Sequence, residues 1–475
     1  MSSPGTFFGL EIALRGLQAH QKSLEVTGHN IANANTPGYS RQEAVHTAAA
    51  PYPPPGANSG TAPGQQGAGV DIDYIRRIRN EYLDTQVRDS TSAQSYWENK
   101  TEIMEQIESI FPEPDGRGIQ EVMLNFFSDW QDLNNTPQDD GIKSAVVESA
   151  KELAKLFRDT HGQLQNVSES ITGSDSGVIQ KGKIFDQVNR VTELSNQISN
   201  ITDSIKQVQR EGRQPNDLLD KRDLLLNELA EFGPIKVSGS SDGGIKVTMF
   251  DGALTLVEPG LKISEIKAEI SGNQITLETI KNNTPYQKIN LTNISDTSKG
   301  SLLGTIAAWQ ENKEFINDIN NLANNLGKHV NSAYKDHFFV NAGDTALDGT
   351  NGGAGDIYVE AGIKENPSQV DGTRALDVAR LRNETLPGLD DSTLEGYYQG
   401  YIGVIGSRTQ SAQNMQENQQ AILDQIKNLQ ESTSGVSLDE ELSRLIELQF
   451  GYQASARVMN VIDGVLDTLI NRMAV

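Results

Sequence analysis

The stretch from Leu10 to Gln42 constrains this chain more than any other. Read as a helix, its first part carries Leu10, Leu17, Leu24 and Ile31 at seven-residue intervals, with Phe7, Leu14, Gln21 and Gly28 as a second row. That is the period of a coiled-coil seam, narrower than the face of an ordinary surface helix. Thr36 precedes a proline and is biased away from the α region, so the helix stops by about Asn35. Pro37-Gly38 then suits the centre of a type II turn, where glycine supplies the positive φ. Asn30, Asn33 and Asn35, spaced by Ala32 and Ala34, are poor helix formers. They suit a place where backbones pack closely and side-chain amides satisfy neighbouring groups.

The other end of the chain answers this one. Leu438, Leu445, Tyr452, Met459, Leu466 and Met473 recur every seven residues, with Leu442, Gln449, Ala456 and Ile470 in the partner row. Neither seam has a partner in its own neighbourhood, so the two are expected to pair with each other. A lone helix pair is marginal in water, and these ends are expected to fold fully only when further subunits surround them.

At 475 residues the chain exceeds one comfortable core. Apolar residues make up 36% and aromatics 6%, which suits long helices with thin seams. A formal net charge of -24 argues against nucleic acid and against anionic membranes, both of which need a basic surface. Without cysteine there is no disulfide framework, thiolate chemistry or cysteine metal site. The first basic residue is Arg15, no secretory leader is recognisable, and no apolar run is long enough to span a membrane. Composition by itself reads as cytoplasmic.

Residues 1-45 and 436-475 are assigned to a terminal coiled-coil domain, and 46-69, rich in Pro and Gly, to an extended linker. Residues 70-234 and 298-435 are assigned to a helical bundle with a small β-rich excursion near 336-386. Residues 235-297 alternate in β-branched side chains and are assigned to an inserted β domain. Within the bundle, Val70, Ile72 and Tyr74 alternate as a short strand, and a helix is expected from about Arg77 to Phe111. Thr136-Pro137 reads as the N-cap and first residue of a later helix, which continues to about Ile171. The run from Gly173 to Gly177 interrupts the helical pattern. The fold class is therefore mainly α with an inserted all-β domain. It is expected to be elongated and multi-domain, with paired N- and C-terminal coiled-coil helices and a long-helix bundle between them.

Chemistry finds little foothold. Gly239-Ser-Ser-Asp-Gly243 matches a nucleophile-elbow pattern, but a β-rich run from Ile245 to Phe250 follows where a helix is needed, so a hairpin turn is the stronger reading. Asp344, Asp348 and Asp356 share a Gly-rich loop without the spacing of a calcium site. The six histidines show no ligand spacing. Arg76, Arg77 and Arg79 are too few for a nucleic-acid patch, and bridging to acidic neighbours in an assembly is the plainer role. No catalytic, cofactor-binding or metal residue is assigned, and no enzyme is expected.

The run Gly28-His-Asn-Ile-Ala-Asn-Ala-Asn-Thr-Pro-Gly-Tyr-Ser-Arg-Gln42 resembles the N-terminal signature of the axial flagellar proteins of rod, hook and hook-associated type. Gly435-Val-Ser-Leu-Asp-Glu-Glu441 with Leu448-Gln-Phe-Gly-Tyr-Gln-Ala-Ser-Ala456 resembles the C-terminal signature of the hook-associated protein 1 family. Ile75-Arg-Arg-Ile-Arg-Asn-Glu-Tyr-Leu-Asp84, Pro215-Asn-Asp-Leu-Leu-Asp-Lys-Arg-Asp223 and Ala375-Leu-Asp-Val-Ala-Arg-Leu-Arg-Asn383 are similar to further segments of that family. The 235-297 insertion matches none of its motifs.

The resemblance implies a structural protein of the hook–filament junction. Such a protein is exported by the flagellar type III system without cleavage, so it is transiently cytoplasmic and then extracellular. The implied partners are further copies of itself in a helical junction ring, the hook protein, hook-associated protein 3, and an export chaperone at residues 436-475. The assembly interface is assigned to Leu10, Leu14, Leu17, Leu24, Asn30, Ile31, Asn33, Asn35, Pro37, Gly38 and Tyr39. Opposite them stand Leu438, Leu442, Leu445, Tyr452, Met459 and Leu466. Alternatives are another axial protein such as hook-associated protein 3, a cytoplasmic coiled-coil scaffold, or a scaffold carrying a glycan-binding or hydrolytic β insertion.

Overall fold

The computed structural model describes residues 7–51, 67–112, 118–173, 176–240, 242–259, 263–294, 298–349 and 352–468. Most of the expected linker (52–66) and the heptad positions Ile470 and Met473 lie outside the described residues. Helix α1 (Phe8–Ala32) ends as its sequence demands. Tyr39 N donates to Thr36 O at 3.2 Å across Pro37-Gly38, with Gly38 at φ +77°.

Strand β1 (Gln42–Ala48) then pairs antiparallel with β2 (Val70–Arg77), Gln42 lying opposite Arg77 and Ala48 opposite Val70. The end of β1 falls in the stretch expected to be linker. Its residues lack apolar alternation, and it is the partner strand that makes it a strand. Helix α2 (Glu81–Glu108) starts later than expected, because β2 takes up the chain as far as Arg77. Asn80 caps it, accepting from Tyr82 N and Leu83 N.

Helices α3 (Ile119–Asn135) and α4 (Asp140–Thr172) follow. Thr136-Pro137 closes α3 instead of opening α4. The cap of α4 is Asp139, whose Oδ1 accepts from Gly141 N at 2.8 Å. A carboxylate there serves both the free N–H groups and the helix dipole. α4 stops at Gly173, φ +67°, where a Cβ would lie 2.5 Å from Lys181 O. The next helix, α5 (Lys183–Arg210), is separate, and between them sits the two-residue strand β3 (Gly177–Val178). Helix α6 (Asn216–Phe232) completes this half.

The β region holds two antiparallel sheets. β4 (Ile235–Gly239), β5 (Ile245–Met249) and β6 (Leu254–Val257) form one meander. β7 (Glu265–Ser271), β8 (Gln274–Lys281) and β9 (Thr284–Asn290) form the other, which β3 extends in the order β3-β7-β8-β9. The nucleophile-elbow match lies in the β4–β5 hairpin, where Ser240 N donates to Gly244 O at 2.8 Å. Beyond the sheets come α7 (Ser301–Tyr334), the short pair β10 (Phe339–Val340) and β11 (Tyr358–Val359), and the short helices α8 (Ala361–Glu365) and α9 (Ala375–Arg380). Two long helices, α10 (Leu394–Ser434) and α11 (Leu438–Asp467), end the chain.

α2 packs against α10, α7 and α6, and α4 against α3 and α7. One hydrophobic core runs through this bundle and both sheets. It includes Phe126, Trp130 and Trp309 from helices, and Val247, Met249, Leu254 and Ile275 from strands, all fully buried. The protein is thus mainly α with an all-β region, and that region shares its interior with the helices beside it.

Candidate assembly site

Helices α1 and α11 lie side by side, bringing the two ends of the described chain together. A Cβ on Gly9 would lie 3.2 Å from Ile462 Cδ1, and one on Gly16 would lie 3.2 Å from Ser455 Oγ. Gly451 faces His20, and Asn30 bonds to Glu441. Along these four pairs one number rises as the other falls by equal steps, so the pairing is antiparallel in a constant register. Its closest approaches are made by small residues, which let the backbones come together.

This shifts the contact from the expected leucine stripe. The buried positions of α1 are Ala13, Ala19, Ser23, Val26, Thr27 and Asn30. Leu10, Leu17, Leu24 and Ile31 are half-buried at its margin, and Leu14 is exposed. Strands β1 and β2 also pack on α1, so its innermost face is set by three elements. On α11, Leu445, Tyr452 and Met459 are half-buried and Leu466 buried, whereas Leu438 and Leu442 are 46% and 49% exposed.

At the open end of the helix pair lies a polar knot. The Asn30 side chain is buried and uses every hydrogen-bonding position it has. Its Nδ2 donates to Gln42 O at 2.9 Å and Glu441 Oε2 at 3.0 Å. Its Oδ1 accepts from Gln42 N at 2.9 Å and from Tyr39 Oη at 2.8 Å. Glu441 is fully buried, and its other oxygen accepts from Arg41 Nε at 2.8 Å. Asn33 stays local, donating to His29 O and accepting from Thr36 Oγ1, while Asn35 and Pro37 are exposed on the turn. Gly38 lies against Leu224 of α6. Burial raises the Tyr39 phenol far above its ordinary value, and Asp217, Asp220 and Glu441 reinforce this, so it remains a donor.

Three arginines continue the knot into the body of the molecule. Arg77 Nη1 reaches Asp220 Oδ1 at 2.8 Å and Asp223 Oδ2 at 2.7 Å. Arg79 forks onto Asp84 at 2.8 and 2.9 Å and reaches Asp223 at 3.0 Å. Ser40 donates its N–H and Oγ–H to Asp220 at 3.1 and 2.7 Å. Arg76 and Arg444 share Glu43, each at 2.9 or 2.8 Å, which joins β1, β2 and α11. Burial alone would push the Asp84 carboxyl up; the hydrogen bonds from Arg79 and Gln430 outweigh it and hold the group below the usual range.

The arginines expected to bridge to acidic neighbours in an assembly are therefore paired within their own chain. The reason is the fold: β2 delivers them onto the face of α6 that carries Asp220 and Asp223. Sequence reasoning assigned no role to Asp220, Asp223, Arg41 or Glu441. The available signal was the alternation of Arg76, Arg77 and Arg79 with the acidic spacing of Asp217, Asp220 and Asp223, about 140 residues away. Among the described residues, no group of three or more carboxylates and histidines is arranged to hold a metal ion. Nor is any described helix long and apolar enough to cross a membrane.

Known proteins share this organisation. Residues 104–353 match the family described as "Flagellar hook-associated protein FlgK helical domain". Residues 10–39 match "Flagella basal body rod protein" and 431–473 match "Flagellar basal body rod FlgEFG protein C-terminal", so both helices of the terminal pair carry axial-protein sequences. The chain is 29% identical to flagellar hook-associated protein 1 of Bacillus subtilis, with 99% of each chain covered. It is 22% identical to that of Escherichia coli, covering 97% of this chain and 98% of the relative. The flagellar hook junction protein FlgK from Burkholderia pseudomallei shares the fold, with a TM-score of 0.59 at 14% identity over 73% of this chain and all of that one. With more than half of its length matched by the helical domain and both ends by axial segments, this chain belongs to the flagellar hook-associated protein FlgK family.

Proposed function

We propose that this chain, a structural protein of the hook–filament junction, polymerises by burying the outer face of its paired terminal helices against neighbouring copies. The observation that supports it is the make-up of α11. One side, with Glu441, Gly451, Ser455 and Ile462 at its closest contacts, turns toward α1. The other carries Leu438, Leu442, Ile446, Phe450, Val458, Val461 and Val465, all between 46% and 67% exposed. A helix apolar on both sides is a buried helix, and an isolated chain covers only one of them.

In this reading the N-terminal leucine margin and the outer face of α11 are covered together as the lattice forms. The hook protein lies below the junction and hook-associated protein 3 above it. During type III export, a chaperone shields residues 436-475, since such a stripe would otherwise drive aggregation in the cytoplasm. The polar knot anchors the helix pair to the body, so that covering the helices fixes the orientation of the whole subunit.

The test is addition of the purified protein to isolated hooks stripped of junction proteins, followed by electron microscopy. Direct capping of the hook tip is expected. Phe450→Asp and Val461→Asp, at positions 66% and 67% exposed, should each abolish capping while leaving the thermal transition of the monomer in place. Capping only after another junction protein is supplied would move the chain one layer outward. Normal capping by both variants would refute the proposed surface.

A further inference from the structure

Beyond the knot, α2, α6 and the β4–β5 hairpin enclose a cleft of about 440 Å³ that the assembly reading does not use. Its size lies within the range of small-ligand sites. Five arginines line it: Arg76, Arg77, Arg79, Arg88 and Arg222. The first three are neutralised by Glu43, Asp84, Asp220 and Asp223, as described above. The last two are not. Among the described residues neither Arg88 nor Arg222 has a carboxylate within ion-pair distance, although both are part-buried. Arg88 Nε donates to the neutral Asn227 Oδ1 at 3.3 Å, and Arg222 Nη1 to Gly243 O at 3.0 Å. Arg222 Nε is buried with no hydrogen-bond partner.

Two obligatory cations in a part-buried cleft with unused donors form an electrostatic imbalance. The nearby carboxylates do not correct it. Asp84 is occupied by Arg79 and Gln430, and Asp223 by Arg77 and Arg79, while Glu81, which also lines the cleft, makes no ion pair with Arg88 or Arg222 among the described residues. Burial holds both guanidiniums below the ordinary arginine value, outweighing the attraction of Asp223 for each and of Asp84 and Glu81 for Arg88. A guanidinium presents a planar fork that matches the oxygens of a phosphate or carboxylate, and a bound oxyanion would use the donors left over.

We propose that this cleft is an oxyanion-binding site, with Arg88 and Arg222 as the residues that hold the ligand. The ligand chemistry is a phosphate or a carboxylate, arriving either as a free anion or as an acidic side chain of a neighbouring copy. The chain's excess of acidic residues, 64 against 40 basic ones, makes a second copy a ready source.

The full-length monomer is titrated with inorganic phosphate, and with sodium chloride at matched ionic strength, while its thermal midpoint and heat of binding are followed. A saturable rise in midpoint is expected with phosphate alone, since a ligand bound only by the folded state stabilises it. The rise should be lost in the double variant Arg88→Gln with Arg222→Gln and regained in part with lysine at both positions. Equal responses to phosphate and chloride in the wild type would overturn the site, whatever the folding of the variants. So would a wild-type response in a correctly folded glutamine variant. Capping of stripped hooks in phosphate buffer then separates the sources. Slower capping than in a zwitterionic buffer assigns the side chain of a neighbouring copy, and equal rates assign a free anion.

Discussion

At Asn30, one amide holds the end of the α1–α11 pair, the start of β1 and the buried Glu441 carboxylate in place at once. Asn30→Leu fills the same space but leaves Gln42 N–H, Gln42 C=O and Glu441 each short of a partner. A loss on the order of 3 kcal/mol in urea unfolding is expected, from buried polar groups left unsatisfied. Hydrogen exchange at the Gln42 amide should speed up with it, and unchanged protection there would contradict the role. His20 supplies a second residue-scale prediction. Its ring lies between Gly451 and His46, with ring centroids 6.4 Å apart, and its Nδ1 is buried without a partner. Burial, then the His46 ring, lowers its proton affinity below the ordinary value of 6.5. The unfolded chain therefore takes up the proton first as pH falls. The stability held by neutral His20 is complete above that ordinary value and is lost as pH drops through the folded one. Burial lowers His161 and His329 in the same direction. Between about pH 7.5 and 5.5 the urea midpoint should fall, and less so in His20→Asn. Identical slopes for the two proteins would remove His20 from the account.

At the scale of elements, close packing of α7 on α2 depends on Gly304, where a Cβ would lie 2.2 Å from Tyr96 O. Because the obstacle is backbone, no side chain can swing away. Gly304→Ala should cost about 1–3 kcal/mol by overpacking. Gly400→Ala, in α10 with nothing within 4 Å, is the control and should gain up to about 1 kcal/mol from helix propensity. Chemical denaturation of the two side by side decides it, and equal effects would disprove the close approach. Several elements were legible because their boundaries are written locally. α6 begins after Pro215 and ends before Gly233-Pro234, the glycine and proline that stop a helix. β1 and β3 were not legible. One has polar residues at most positions and the other is two residues long, and each becomes a strand only through a partner distant in sequence.

Over the whole molecule, the large core belongs to the bundle and sheets, while α11 contributes only Glu441 and Leu466 as buried residues. Removing residues 438-475 should therefore leave the main cooperative thermal transition intact, lowered by a few degrees through the loss of the Arg41 and Arg444 pairings. Calorimetry tests this, and disappearance of the transition would show that the terminal pair is part of the folding unit. The same division of stability suits a subunit whose body is finished before its ends are covered. A structure organised this way keeps the proposed assembly surface apart from the interior that sustains it.

The sequence by itself determined which stretches are helical, the Pro37-Gly38 turn, the matching of the two ends and the family. Each of these is carried by the order of neighbouring residues, through heptad spacing, turn chemistry and local signature. Only the tertiary structure decided which face of α1 meets α11, because that depends on how closely two backbones approach, and the glycines at positions 9, 16 and 451 approach best. It also decided that Arg77 and Arg79 are answered by Asp220 and Asp223 of their own chain. The partner of a charge is set by distance and burial in the folded molecule, and the one-dimensional pattern contains neither.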